Sequence, residues 1–206
     1  MIFIRYENWK SYLRYYPFTS LLLIANIVMF FVMTFNGGST NYLTQLEYGA
    51  VTNLEPFRSE EWRYIAAVFL HSGFDHLFFN SFAILVITPP LERIMGTFRY
   101  ALLYLMSGIL GNVISVAYYT NVKVDDTILV GASGAIYGVY GAFLYIALFQ
   151  RHMMDEASRK MLYTLLIMGI MFSFAPGIGW VAHFGGMISG FFIYGLLIRL
   201  FKRRSS

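Results

Sequence analysis

Long apolar segments alternate with short polar connections along the whole chain. Six apolar stretches stand out, at roughly residues 18–35, 65–88, 99–118, 130–149, 161–176 and 179–200. Most are close to the ~20 residues that a helix needs to cross ~30 Å of hydrocarbon. The fifth is short, and Pro176 and Gly177 predict the turn that follows it. The pattern predicts an all-α membrane protein, a compact bundle of six transmembrane helices.

The longest polar connection, residues 37–64, lies between the first two predicted spans. It intersperses aromatic residues such as Tyr42, Phe57 and Trp62 among glutamates. A loop this long and this aromatic is expected to fold back on the membrane surface. We therefore expect a membrane-associated loop between helices 1 and 2. The expected units are a short cytoplasmic N-terminal segment (1–17), a six-helix domain (18–200) and a basic cytoplasmic tail (201–206).

Composition agrees with a membrane bundle and narrows the chemistry. The 206 residues are 58% hydrophobic and only 13% charged, whereas about a quarter of the residues of a soluble domain are charged. The chain has no Cys, which excludes a disulfide framework, thiol catalysis and Cys-ligated zinc.

Lys and Arg residues set the expected orientation. If the six spans alternate in direction, twelve of the fifteen Lys and Arg residues lie on one side and three on the other. Cytoplasmic loops carry the excess of positive charge, so both termini are expected in the cytoplasm. We interpret the basic tail at Lys202 as an anchor for lipid head groups rather than a nucleic-acid-binding segment.

Polar side chains inside the apolar stretches are the candidate functional residues, because burying them in a bilayer is costly. They are Ser133 in GASGAIYG, His183 in GWVAHFGGMISG, and His71, His76 and Asn80 in HSGFDHLFFN. Asn80 follows His76 by four residues, so the two share one face of a helix.

Three of these residues are expected at the same depth. Counted back from the cytoplasmic ends, Ser133 precedes Phe149 by sixteen residues, His183 precedes Arg199 by sixteen, and His76 precedes Glu92 by sixteen. At 1.5 Å per residue each lies ~24 Å above the inner boundary, hence ~6 Å below the outer edge of the hydrocarbon. One shared site explains this better than three coincidences.

A serine, a histidine and hydrogen-bond donors at one level predict acyl-transfer chemistry. His183 can accept the proton that makes Ser133 nucleophilic, and Asn80, His76 and the Ser133 backbone N–H can stabilise the resulting oxyanion. No carboxylate lies at a suitable depth to orient His183, so a Ser–His dyad is expected rather than a triad. Neither a metal nor another cofactor is expected.

A packing role is the alternative for the small residues. Gly131, Gly134 and Gly138 around Ser133 can form a notch for another helix. A second stripe at four-residue spacing on the sixth span consists of Ala182, Gly186 and Gly190. The two interpretations are compatible, because close packing of the fourth and sixth spans would bring His183 within reach of Ser133.

Four segments together resemble the rhomboid intramembrane serine proteases. They are GASG with Tyr137 one turn later, AHFGGMISG, HSGFDHLFFN and the outer-loop sequence EEWR at residues 60–63. GxSG alone is a weak signal, but the three intramembrane segments in this order and topology are a strong one. The resemblance covers about residues 45–195.

The resemblance implies a role for each matching residue. Ser133 is the nucleophile and His183 the general base, and Asn80, His76 and the Ser133 N–H form the oxyanion hole. Tyr137 packs on the His183 ring, and Gly131, which has no side chain, leaves the backbone beside the oxyanion hole unobstructed. His71 resembles a structural, water-organising residue.

The family also implies substrates and a location. It cleaves single-span membrane proteins near the outer membrane face, and here the fifth span would form part of the lateral path of the substrate. Single-span proteins and membrane lipids are therefore the expected partners, and a bacterial plasma membrane is the expected location.

There are two alternatives: a non-catalytic relative that binds membrane helices, and a transporter that uses buried His residues as a relay. The first has usually lost the Ser or the His, and the second needs acidic partners near the midplane.

Overall fold

The computed structural model describes residues 2–4, 6–124 and 127–201. Its helices are, in chain order, α1 (Trp9–Tyr15), α2 (Pro17–Phe35), α3 (Tyr42–Glu47), α4 (Arg63–Ala66), α5 (Phe74–Met95), α6 (Thr97–Asn121), α7 (Ser133–Phe149), α8 (Glu156–Ser173) and α9 (Trp180–Leu200). Two short strands, β1 (Val51–Thr52) and β2 (Ile128–Leu129), pair in antiparallel orientation.

Each of the six predicted apolar stretches overlaps one of the long helices α2, α5, α6, α7, α8 and α9. In the described part of the chain, four of them, α2, α5, α6 and α9, are long and apolar enough to cross a membrane by length and composition. Helix α7 is apolar but has only 17 residues, and α8 begins with charged residues including Glu156 and Lys160. The all-α class is confirmed.

The predicted boundaries of the second span, 65–88, are wrong at both ends. The chain first forms α4 and a 3₁₀ turn (Ala67–Phe69), and α5 begins only after Gly73, whose φ of +83° favours glycine. Helix α5 then continues through Pro89 and Pro90 to Met95, although neither proline can donate a backbone hydrogen bond.

The extension of α5 buries a carboxylate at the start of another helix. Glu92 is 1% exposed, and its carboxylate accepts hydrogen bonds from the backbone N–H groups of Phe18 and Thr19 at 3.0 and 2.9 Å. It also accepts one from the Thr19 hydroxyl at 2.7 Å. The first N–H groups of a helix lack partners within the helix, so Glu92 caps α2.

Helix α8 starts and ends earlier in the chain than the predicted fifth span, 161–176. Asp155 caps α8 by accepting hydrogen bonds from the Ser158 hydroxyl at 2.6 Å and the Ser158 backbone N–H at 3.0 Å. These bonds hold the pKa of the Asp155 carboxyl below its ordinary value. The helix therefore begins at the cap, before its apolar part, and ends at Ser173.

The beginning of the chain packs against α7 and α8. The Ile2 backbone N–H donates to the Ser158 hydroxyl oxygen at 2.8 Å. Phe3 is buried, with its ring centroid 5.3 Å from that of Phe143 in an edge-to-face contact. At the other end, residues 202–206 of the expected basic tail lie outside the described residues.

The loop between α2 and α5 is folded around a buried arginine. Arg63 is 4% exposed, and its guanidinium donates to the carbonyl groups of Leu46 and Ala50 and pairs with Glu60 at 2.8 Å. It also lies over the Trp62 ring, 4.8 Å from the ring centroid. These bonds hold α3, β1 and α4 together. The sequence pattern did not predict the pairing of β1 with β2.

Helix α7 lies at the centre of the bundle and packs directly on α9. Nearly all of its residues from Gly134 to Ala147 are buried. At Gly186 and Gly190 of α9, an added methyl group would overlap the backbone of Gly134 and Gly138, respectively. The predicted small-residue seam between these helices is therefore confirmed, because only glycine lets the two backbones approach this closely.

We expect Gly190→Ala to destabilise the protein, because the new methyl group would overlap the Gly138 backbone. Over-packing of this kind lowers the free energy of unfolding by about 1–3 kcal/mol. Gly134→Ala is the matched control, since a methyl group there would lie 3.4 Å from the Ala182 carbonyl oxygen, an ordinary contact. Thermal unfolding in detergent measures both, and equal stability of the two variants would contradict the seam.

Candidate active site

Ser133 is the first residue of α7 and is held in place by the segment before it. Strand β2 pairs with β1, and the Gly131 N–H then donates to the Ala67 carbonyl at 2.8 Å. Gly131 has a φ of +125°, which a glycine adopts far more readily than other residues. Ser133 is half-buried, and as the first helical residue it has a backbone N–H with no intrahelical acceptor.

His183 lies in the first turn of α9 and faces Ser133 across the α7–α9 seam. Its Nε2 is 2.8 Å from the Ser133 hydroxyl oxygen, and the residue is 7% exposed. This distance is that of a good hydrogen bond, so the ring can accept the Ser133 proton when Nε2 is unprotonated. The structure thus joins the two residues that the sequence placed at one depth.

Tyr137 lies one turn after Ser133 on α7. Its ring is stacked on the His183 ring, with centroids 4.2 Å apart and an interplanar angle of 13°. The stack limits rotation of the imidazole, as the sequence resemblance implied. The Tyr137 hydroxyl reaches beyond the ring and donates to the Gly169 carbonyl of α8.

His76 lies beside the Gly131 backbone. A methyl group on Gly131 would come within 2.7 Å of His76 Nε2 and 3.8 Å of the Ser133 hydroxyl oxygen. On the other edge of the ring, Nδ1 accepts a hydrogen bond from the Ser72 N–H at 3.3 Å. A neutral imidazole with an acceptor at Nδ1 carries its proton on Nε2, so His76 presents an N–H on the side that faces Gly131.

Asn80 is buried one turn further along α5, and its side-chain amide donates to the His76 carbonyl at 2.9 Å. An amide nitrogen has two hydrogens, so one remains for another acceptor. His71 is fully buried and makes an edge-on contact with His76, with centroids 5.2 Å apart. Gly134 lies in the α7–α9 seam, against the Ala182 carbonyl.

Ser173, the last residue of α8, was missed by the sequence reasoning. Its hydroxyl oxygen lies 2.8 Å from His183 Nδ1 and 2.8 Å from the Tyr137 hydroxyl oxygen. The dyad expected from the sequence therefore has a neighbour on the other side of the imidazole. A serine ten residues before His183, across a Pro-Gly turn, has no distinctive spacing that would have signalled this contact.

The arrangement contains the groups that acyl transfer requires. It has a hydroxyl bonded to an imidazole, and hydrogen-bond donors from His76 and the start of α7 on the adjacent side. Among the described residues, no group of three or more His, Asp or Glu side chains could hold a metal ion.

Sequence comparison identifies the family. A sequence model described as the Rhomboid domain matches residues 58–200. The chain belongs to the rhomboid family. This rhomboid is 35% identical over 204 residues to "Putative rhomboid protease YdcA" of Bacillus subtilis (strain 168), over 98% of this chain and 100% of that protein.

Two further relatives match a smaller part of their own length. "Rhomboid protease GluP" of Bacillus subtilis (strain 168) is 38% identical over 176 residues, which are 85% of this chain and 34% of GluP. "Rhomboid-type serine protease 2" of Emericella nidulans is 32% identical over 140 residues, 66% of this chain and 27% of that protein. Family membership and the apolar helices show that this rhomboid is an integral membrane protein.

We expect Gly131→Ala to abolish labelling of Ser133 by a fluorophosphonate, because the new methyl group would displace the His76 ring and strain the backbone. Gly177→Ala is the matched control. Gly177 also has a positive φ, +78°, but a methyl group there would meet nothing within 4 Å. Labelling of the purified folded variants measures the effect, and equal loss in both would show that backbone strain alone is responsible.

Proposed function

We propose that the chain hydrolyses peptide bonds in or near transmembrane segments of membrane-protein substrates, with Ser133 as nucleophile and His183 as general base. As a rhomboid, the chain is a serine protease of the intramembrane type. The observation that carries the residue assignment is the 2.8 Å contact between the Ser133 hydroxyl oxygen and His183 Nε2.

The proposed reaction follows from this contact. His183 Nε2 takes the hydroxyl proton as the Ser133 oxygen attacks the substrate carbonyl carbon. The imidazolium then protonates the departing amine, which leaves an acyl-enzyme on Ser133. A water molecule, deprotonated by the same nitrogen, attacks the acyl carbon, and the acid product leaves as Ser133 regains its proton.

The proposed oxyanion hole lies on the Gly131 side of Ser133. The Ser133 backbone N–H starts α7 without an intrahelical partner, and His76 presents its Nε2–H toward Gly131. The side-chain amide of Asn80, one helical turn after His76 on α5, is the third proposed donor to the oxyanion. Donors fixed in place before the reaction stabilise the oxyanion without reorganisation. Gly131 acts by leaving space for the His76 ring, Gly134 supports the site as part of the α7–α9 seam, and His71 supports the His76 ring.

The proposed substrates are single-span membrane proteins, and membrane lipids surround the enzyme. The distribution of Lys and Arg supports cytoplasmic termini and a site near the outer face. A bacterial plasma membrane is the proposed location. The units 1–17, 18–200 and 201–206 are retained as the proposed organisation of the chain.

We expect Ser133→Ala and His183→Ala each to abolish cleavage while the protein stays folded, because neither change leaves a nucleophile and base in contact. The measurement is co-expression with a panel of tagged single-span membrane proteins, with cleavage read by immunoblot against the wild-type enzyme. Thermal unfolding of the purified variants checks the fold. Cleavage that survives in Ser133→Ala would overturn the proposal, and binding of tagged substrates without any cleavage by the wild type would favour a non-catalytic helix-binding role.

We expect Asn80→Ala to lower kcat on a cleaved substrate by about 100-fold, the order found when one oxyanion donor is removed. KM should change little, because the interaction strengthens only as charge develops on the carbonyl oxygen. Initial rates over a range of substrate concentrations in detergent or liposomes separate the two constants. Unchanged kcat would remove Asn80 from the proposed oxyanion hole.

A further inference from the structure

We propose that Ser173 is a positioning residue for His183, which it holds through Nδ1 while Nε2 serves Ser133. The inference rests on the proposed function and adds α8 to the helices that hold the Ser133–His183 pair. Ser133 lies on α7 and His183 on α9, whereas Ser173 ends α8. The base on α9 would then be oriented by groups from two other helices, α7 and α8.

The contacts of Ser173 restrain the imidazole at the edge opposite Ser133. Ser173 is fully buried, and its hydroxyl oxygen lies 2.8 Å from His183 Nδ1. Ser133 contacts Nε2 at the same distance, and the Tyr137 ring covers one face of the imidazole. A ring held at both nitrogens and on one face keeps the orientation that proton transfer needs.

The reaction makes a partner at Nδ1 necessary. After His183 takes the Ser133 proton, both ring nitrogens carry hydrogens. A buried N–H of a charged group without an acceptor is strongly unfavourable. The Ser173 oxygen can accept the Nδ1–H bond because its own proton has another acceptor, the Gly169 carbonyl at 3.0 Å.

The surroundings of Ser173 keep that oxygen in place. The Gly169 carbonyl also accepts the Tyr137 hydroxyl proton, and the two hydroxyl oxygens of Tyr137 and Ser173 are 2.8 Å apart. A neutral hydroxyl thus occupies the place at Nδ1 that a carboxylate takes in a Ser–His–Asp triad. The Ser173 oxygen accepts the Nδ1–H bond in the neutral ring, whose proton is on Nδ1 when Nε2 is free to act as a base, and it accepts the same bond in the imidazolium.

We expect Ser173→Ala to lower kcat roughly 10- to 100-fold, the equivalent of one hydrogen bond to a charged group, with KM within about twofold of wild type. The rate of Ser133 labelling by a fluorophosphonate should fall by a similar factor. Ser173→Thr and Ser173→Val form a second pair of nearly equal shape, of which only Thr keeps the hydroxyl. The Thr variant should be at least about fivefold faster than the Val variant.

Thr164→Ala is the matched control for loss of a hydroxyl on α8. The Thr164 hydroxyl donates to the Lys160 carbonyl four residues earlier, as Ser173 does to Gly169, but it is exposed and outside the site. Its kcat should stay within about twofold of wild type. Three results would each overturn the inference: wild-type kcat in Ser173→Ala, a raised KM with unchanged kcat, or equal rates of the Thr and Val variants.

The failure of the inference can be distinguished from that of the proposed function. If the wild-type enzyme shows turnover that depends on Ser133 while the Ser173 variants behave as wild type, only the inference fails. If the wild-type enzyme shows no Ser133-dependent turnover, the proposed function fails and the inference fails with it.

Discussion

The hydrogen bond between Ser133 and His183 depends on the close approach of α7 and α9. The two side chains come from different helices, and both are short, so they meet only if the helix backbones are nearly in contact. Gly186 and Gly190 of α9 lie against the backbone of Gly134 and Gly138 of α7. The seam is therefore part of the site, since a methyl group at Gly186 or Gly190 would overlap the α7 backbone and separate nucleophile from base.

A second constraint is that buried polar groups need partners when most of the surroundings are apolar. Glu92 accepts hydrogen bonds from the first N–H groups of α2, and Arg63 donates hydrogen bonds to carbonyl groups of the outer loop. Ser173 follows the same rule inside the site, where it bonds to both His183 and the Gly169 carbonyl. The same hydrogen bonds that satisfy these groups also fix the positions of α2, α4 and α8.

The sequence predicted the long helices and much of the site, because both follow from regular spacing. Counting residues from the helix ends placed Ser133 and His183 at one depth, and the structure joins them at 2.8 Å. A hydropathy average could not predict that α5 begins directly after Gly73. The boundary depends on the positive φ of that glycine, and hydropathy contains no information about backbone conformation. It also did not predict Ser173, because a contact between separate helices depends on how α8 is rotated about its axis.

Activation of Ser133 by His183 can be tested by mapping a covalent adduct. The purified protein would be treated with a fluorophosphonate, digested and analysed by mass spectrometry to locate the modified residue. We expect one adduct, on Ser133, in the wild-type protein and none in a folded His183→Ala variant. An adduct on a different serine, or undiminished modification of Ser133 without His183, would contradict it.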